Sequence, residues 1–139
     1  MQVYIKVHDM ERSIAFYEQL TGTKASYSER KRWVNFPCGI SLYSLAYDIN
    51  KIQSGECSSE NYNEAYINFV LSEQTRASKN IVFNFYTDDL KAERERIAAL
   101  GIGKISEMMY VNIVMPYWFF IVEDPDGNEI EITGPYHET

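Results

Sequence analysis

Histidine and cysteine are scarce in this chain, with two of each among 139 residues. The cysteines, Cys38 and Cys57, match no metal-binding or redox spacing, so free thiols in a reducing compartment are expected. His8 precedes the first helix pattern and His137 falls in the C-terminal tail, and solvated side chains are expected at both. No apolar run approaches the roughly 18 residues of a membrane span. Met1 leads directly into a strand pattern, with no basic segment or cleavage site. A soluble, cytoplasmic protein with no membrane partner is the resulting expectation. Basic residues are also few, 13 against 20 acidic ones, for a net charge of −7. Nowhere do Lys and Arg gather densely enough to reverse that field, which argues against a nucleic-acid partner and favours cationic small molecules.

Apolar residues at 45% and charged residues at 24% are ordinary globular values, and the length suits one domain. Aromatics reach 14%, with 11 tyrosines, each a flat apolar face with a polar tip. The stretch Ile121 to Tyr136, IVEDPDGNEIEITGPY, reads as a hairpin. Asp124-Pro125-Asp126-Gly127 has type I turn chemistry: Asp bonds the backbone, Pro presets φ, and Gly suits the fourth position. The strand after it alternates, with Ile130 and Ile132 on one face and Glu129 and Glu131 on the other. Two carboxylates on one strand face form either a solvated surface or the lining of a site.

Gln2 to Val7 also alternates, Val3, Ile5 and Val7 opposing Gln2, Tyr4 and Lys6. Asp9 is then a helix cap, Met10, Ile14, Tyr17 and Leu20 form one helical stripe, and Gly22 follows the helix. Strands are expected over Lys24 to Ser28, Arg32 to Phe36 and Ile40 to Leu45. Residues 47–79 read as a polar connector, either a linker or a flap over a site, in which Glu64 to Leu71 fits helix or strand equally. The pattern then restarts with a strand over Asn80 to Tyr86. Aligning VHDMERSIAFYEQL with TDDLKAERERIAAL superposes Asp9 on Asp89, Met10 on Leu90 and Leu20 on Leu100, a constant offset of 80. Leu90 and Ile97 lie on the second helical stripe, and Gly101 follows it. Strands over Lys104 to Met109, Trp118 to Val122 and Glu129 to Thr133 complete the copy, with Gly39 matching Gly127 and Tyr43 matching Glu131. The chain is two strand-helix-three-strand modules in one domain, the first at about 1–46 and the second at about 80–136.

The opening VHDMERSIAFYEQLTG and the closing VEDPDGNEIEI resemble the vicinal oxygen chelate superfamily. That superfamily includes glyoxalase I, extradiol dioxygenases, and the fosfomycin- and bleomycin-resistance proteins. The resemblance implies an α+β fold of two βαβββ modules, whose curled mixed sheets surround a concave site, usually in a homodimer. It does not imply a reaction, since one fold hosts many activities. If the apolar strand faces pack on the helices, the site is lined by Gln2, Tyr4, Lys6, Tyr43, Leu45, Val82, Asn84, Tyr86, Glu129, Glu131 and Thr133. The facing of Trp33, Phe36, Trp118 and Phe119 stays open.

Metal-dependent relatives place up to four ligands at positions that correspond to Gln2, Tyr43, Val82 and Glu131. Glu131 is a good oxygen ligand and Gln2 a weak one, Val82 has no donor, and a neutral Tyr43 is a poor ligand. No cofactor is expected, with at most weak divalent-metal binding. The expected function is a small-molecule binding protein that sequesters a bulky aromatic or cationic compound, such as an antibiotic, without metal chemistry. A metabolite in place of a drug fits the residues equally. Gln2, Tyr4, Lys6, Tyr43, Asn84, Tyr86 and Glu131 are the expected ligand contacts. The alternative is a lyase or isomerase of the glyoxalase type, with Glu131 as general base or metal ligand and Tyr43 or Lys6 polarising a carbonyl.

Overall fold

Asp9 and Asp89 start the two helices that repeat along the chain. From extended backbone at φ −127° and −141°, each sets a carboxylate oxygen on a backbone N–H of the first turn, Arg12 at 3.1 Å and Ala92 at 3.0 Å. Those donors have no partner within a helix, so the side chain replaces one. At the far ends Gly22 and Gly101 take left-handed φ of 67° and 61°, which a side chain would disfavour. Both caps and both stops stand where the repeat places them.

The computed structural model describes residues 3–27, 31–55, 61–72 and 80–137. Gln2, Cys57 and residues 28–30, with the end of the strand expected over Lys24 to Ser28, lie outside the described residues, and so do 56–60 and 73–79 of the connector. The chain divides into two compact units, 1–76 and 77–139.

The first unit runs β1 (Val3–Val7), α1 (Met10–Thr21), β2 (Ser26–Tyr27), β3 (Trp33–Asn35), β4 (Ile40–Ser44), α2 (Leu45–Gln53) and α3 (Glu64–Ser72). Its sheet has the order β1-β4-β3-β2, parallel between β1 and β4 and antiparallel elsewhere. Ile5, Val7, Val34, Phe36 and Leu42 are buried, and so is the α1 stripe of Met10, Ile14, Tyr17 and Leu20. The Tyr17 ring lies 5.9 Å from that of Phe36, which assigns Phe36 to this core. On the opposite face Lys6, Tyr43 and Trp33 stand abreast in register, as do Tyr4, Ser41 and Asn35.

The second unit runs β5 (Phe83–Tyr86), α4 (Leu90–Leu100), β6 (Met109–Asn112), β7 (Pro116–Glu123) and β8 (Glu129–Thr133). The order β5-β8-β7-β6 repeats that of the first sheet, again with one parallel pair, β5 with β8. Ile130, Ile132, Phe120 and Val122 fill its core with Leu90 and Ile97 of α4. Phe119 shares the face of Thr133 and Met109, whereas Trp118 lies on the other face, its ring 4.5 Å from that of Tyr136. The fold is therefore α+β, two four-stranded mixed sheets with helices, as expected. The closing turn also forms as read: buried Asp124 accepts from the backbone N–H groups of Asp126 and Asn128 and from the Asn128 amide, at 3.0, 2.7 and 2.9 Å.

Four readings change. The strand expected over Ile40 to Leu45 stops at Ser44, whose hydroxyl caps α2 by accepting from Tyr47 N at 3.2 Å. The connector, read as a polar linker or flap, contains most of one helix and the whole of a second, and the Glu64–Leu71 ambiguity resolves to helix. The strand expected over Lys104 to Met109 begins only at Met109, after an isolated bridge from Ile105 to Val122. There Ser106 N–H bonds the Ile121 carbonyl at 2.8 Å and the Lys104 carbonyl accepts from Glu123 at 2.9 Å, but the pairing goes no further, and the Arg94 guanidinium takes the Ser106 carbonyl at 2.7 and 3.0 Å. Finally, the match of Tyr43 with Glu131 holds when counted from the turns, where Phe36 bonds Ile40 as Asp124 bonds Asn128. Across the sheets it does not hold. Tyr43 stands opposite Lys6, whereas Glu131 stands opposite Asn84, the counterpart of Tyr4, so that Ser41 occupies the place of Glu131. A two-residue step leaves every side chain on its original face.

Gly134 follows β8 where the chain passes Thr87, and a Cβ there would sit 2.1 Å from the Thr87 carbonyl oxygen. Only backbone movement relieves that clash, and the Thr87 N–H to Thr133 carbonyl bond of 2.9 Å lies in its path. Gly134→Ala is expected to destabilise the protein by about 2 kcal/mol, in the range of overpacked cores. Urea denaturation at neutral pH measures this, and an unchanged midpoint would contradict the close approach.

Candidate functional site

The site of the first unit is built on the sheet face away from α1. Leu45, Ile49 and Ile52 fall at helical spacing on α2, and α3 brings Tyr66 and Val70 to the same place. Tyr43, Leu45 and Val70 form a buried cluster, and Trp33, Ile49, Ile52 and Tyr66 pack against it. α3 begins at an asparagine cap, Asn63, whose side chain accepts from Tyr66 N at 2.9 Å. Face-sharing puts Asp48, three residues after Leu45, into the interior as well, where it is 0% exposed.

A carboxylate without water needs several donors. Asp48 has four. Arg32 engages it through Nε at 2.8 Å and Nη2 at 2.7 Å, and Tyr43 and Tyr66 each donate a hydroxyl at 2.6 Å. The Tyr62 hydroxyl is the fourth donor, its ring stacked 5.3 Å from that of Tyr66. Burial works to raise the Asp48 pKa, but hydrogen bonds from Arg32 and the three tyrosines outweigh it and hold the carboxyl well below its usual range. Burial, and then the bond to the Asp48 carboxylate, push the Tyr43 and Tyr62 hydroxyls up, and Tyr66 moves the same way for the same reasons. These tyrosines are neutral hydrogen-bond donors.

Beside this network lies a cavity of about 170 Å3, lined by Tyr4, Lys6, Arg32, Trp33, Tyr43, Leu45, Tyr66, Phe69 and Val70. Its walls are rings. Tyr4 lies 4.9 Å from Trp33 in a tilted pair and 6.3 Å from Tyr43 edge-on. Two cations sit against them, the Arg32 guanidinium 5.0 Å from the Tyr43 ring centre and Lys6 Nζ 5.5 Å from that of Phe69. Tyr4, Lys6 and Tyr43, three of the residues expected from the sequence, are thus brought together here. Arg32, Tyr66, Phe69 and Asp48 went unforeseen, although Ser44 as a cap and Leu45, Ile49 and Ile52 as a stripe were the signals for α2.

In the second unit Asn84 and Glu131 meet, the amide donating to the carboxylate at 2.6 Å, and the Thr133 hydroxyl reaches Asn84 Oδ1 at 3.4 Å. Asn84 and Tyr86 are exposed, Tyr86 at 71%. This pair can accept or orient a polar group. Of the four positions corresponding to metal ligands, Gln2 is outside the described residues, and Val82 is an exposed side chain without a donor atom. Tyr43 has its hydroxyl bound to Asp48 and its ionisation suppressed, so it does not present a phenolate to a cation. Glu131 alone offers a charged oxygen, and the set does not fit a divalent metal. Among the described residues, no group of three or more His, Cys, Asp or Glu side chains could hold one.

Two units of strand, helix and three strands in one chain define the class to which the comparisons also point. The sequence profile of the glyoxalase-like domain matches residues 2–133, and the chain belongs to that family, within the vicinal oxygen chelate superfamily. No curated protein matches the chain. Solved structures share the fold. A hypothetical protein from S. aureus aligns with TM-score 0.63 and 15% identity over 97% of this chain and 92% of its own. A protein named lactoylglutathione lyase from Agrobacterium tumefaciens gives TM-score 0.61 and 21% identity over 96% and 91%. A glyoxalase/bleomycin resistance protein from Albidiferax ferrireducens gives TM-score 0.60 and 16% identity over 96% and 97%. Among the described residues no helix is long and apolar enough to cross a membrane.

The Asp48 network fixes how stability depends on pH. The folded carboxyl is depressed, so its contribution is complete above the unfolded value, about 4, and is lost as pH falls below it. The tyrosine hydroxyls are raised, so theirs is complete below about 10 and is lost as pH climbs past it. Asp48→Asn is expected to cost about 3 kcal/mol at neutral pH, with the gap to the parent narrowing below pH ~4. Thermal melting of both proteins across pH tests this, and a gap unchanged at low pH would remove the carboxylate from the role.

Proposed function

We propose that the protein binds a small aromatic molecule in the pocket of its first unit and holds it by ring contacts rather than through a metal. The observation that carries this reading is the pocket itself. Its floor, Tyr43, Leu45 and Val70, is buried, and Tyr4, Trp33 and Phe69 supply rings around it. A hydrogen-bonded floor and packed helices make the shape largely preformed, which lowers the ordering cost of binding. The cavity of about 170 Å3 falls below the usual range for drug-sized ligands, 300–1,000 Å3. It is closer to engineered apolar cavities of about 150 Å3 that admit benzene. The occupant of this pocket is therefore a single-ring compound, narrower than the bulky one expected from the sequence.

Benzyl alcohol is a neutral single-ring probe. It is expected to raise the melting temperature, because a ligand of the folded state stabilises it. Trp33→Ala is expected to weaken its binding about fivefold, in line with a stacking contact of about 1 kcal/mol. Tyr86→Ala, in the other unit, is expected to leave it unchanged. Calorimetric titration reads all three proteins, and an unchanged affinity for Trp33→Ala ends the case for this pocket.

The proposal retains a homodimer. The connection between β6 and β7 exposes Ile113 at 88%, Val114 at 95% and Met115 at 69%, an apolar run that favours a covering surface. Light scattering is expected to give twice the chain mass, and 16.2 kDa at micromolar concentration would contradict it.

A further inference from the structure

Arg32 brings the pocket a donor that the described residues leave unused. It holds Asp48 side-on, through Nε at 2.8 Å and Nη2 at 2.7 Å, and Nη2 also lies 3.1 Å from the Tyr66 hydroxyl. No described residue accepts from Nη1. The guanidinium is planar, so a carboxylate on its Nε–Nη2 edge leaves Nη1 across Cζ, facing away from that carboxylate. Arg32 lines the cavity and Asp48 does not, which turns the unused end of the group to the ligand's side. Both ends of the residue are anchored. The Ser44 N–H donates to the Arg32 carbonyl at 2.9 Å, and the guanidinium lies 5.0 Å from the Tyr43 ring centre. Three neighbouring donors are already spent: Tyr43 and Tyr66 donate to Asp48, and the Trp33 indole donates to Asn35 at 2.9 Å. The Arg32 side chain is 39% exposed, and a ring seated against it takes solvent from Nη1. A ring with no acceptor would leave that charged donor unpaired, whereas one that carries an acceptor restores the bond.

We propose that the ligand of this pocket is a neutral single-ring aromatic carbonyl compound, an aryl ketone or aldehyde, whose oxygen accepts from Arg32 Nη1. Its ring rests against Tyr4, Trp33 and Tyr43. This rests on the ring-binding reading above and adds the group that the ring carries. A carbonyl suits Nη1 better than a hydroxyl, because arginine offers donors only and a hydroxyl brings a proton that needs an acceptor too. Neutrality follows from Asp48. Its carboxylate offsets the Arg32 charge at 2.7 Å, so an anion at Nη1 would meet a compensated guanidinium and the repulsion of the first carboxylate. The same pair prepares Arg32 as a partner, since a side chain already fixed loses little freedom when it takes one more acceptor.

The test titrates acetophenone, toluene and benzoate calorimetrically against the full chain and against Arg32→Lys, which keeps a cation for Asp48 and deletes Nη1. Acetophenone is expected to bind. The ratio of its affinity to that of toluene is expected to fall about tenfold in Arg32→Lys, a change of about 1.4 kcal/mol. Infrared spectroscopy of carbonyl-labelled acetophenone on the parent protein reads the bond itself. The stretch is expected below its value in alkane, because a hydrogen bond from a cation weakens the C=O bond, and to rise again in Arg32→Lys. Should Arg32→Lys fail to fold, the parent spectrum decides: a lowered stretch supports the inference and an alkane-like one overturns it. A ratio indifferent to Arg32→Lys overturns it, and so does benzoate binding more tightly than acetophenone. Acetophenone that does not bind also overturns it, and leaves the ring pocket standing where Trp33→Ala still weakens benzyl alcohol. Failure of acetophenone, toluene and benzyl alcohol alike removes the pocket and the inference together.

Discussion

Asp48 is a carboxylate with no contact with water, and the first unit is arranged so that it never needs one. Its partners come from three parts of the chain: Arg32 before β3, Tyr43 on β4, and Tyr62 and Tyr66 around the start of α3. A buried charge is tolerable only when its donors are in place together, so the network couples the sheet to both connector helices. Removing α3 from its seat would strand the carboxylate with half its donors and expose Val70 at the same time. The pocket inherits this constraint, because Tyr43, Tyr66 and Arg32 are at once Asp48 donors and lining residues.

The two units share a topology and differ in what covers their sheets. In the first, α1 packs on one face and α2 with α3 on the other; in the second, α4 covers one face while Asn84 and Tyr86 stay exposed on the other. The repeated parts are those with local causes: an aspartate cap, a helical stripe, a glycine stop, and a turn whose first residue bonds the fifth. The two-residue difference in how the closing strands meet β1 and β5 is a non-local property, set by how each sheet packs. It changes which residue stands opposite Tyr4 or Asn84 without exposing the core.

This division explains what the sequence allowed a reader to see. The limits of α1 and α4, the Asp124 turn, the outward facing of Tyr4, Lys6, Asn84 and Glu131, and the α+β class all follow from short-range pattern. α2 was missed because Ile40 to Ser44 alternates, and Leu45 continues that alternation by chance while opening a helix. The polar run beyond Gln53 then coloured the whole connector, hiding a stripe at Leu45, Ile49 and Ile52. Asp48 was invisible for a different reason. A lone aspartate on a short helix reads as solvated, and its donors lie 5 to 18 residues away in sequence, a separation no local pattern registers.

Charge carries the same lesson over a longer range. A net −7 describes the chain as a whole, and acidic side chains such as Glu11, at 71% exposure, face solvent, where screening limits their reach. The interior charge balance is local: Asp48 and Arg32 offset one another at 2.7 Å, far from any count of residues along the chain. The three tyrosine hydroxyls turn inward to the carboxylate, so the rings of Tyr43 and Tyr66 meet the cavity with their polar tips already engaged. A pocket so made is walled by rings whose hydroxyls are turned away from it, whatever the charge of the protein around it. Composition therefore bounds long-range steering, while the ligand chemistry of this fold is decided by which few side chains the register and the connector helices bring to one face.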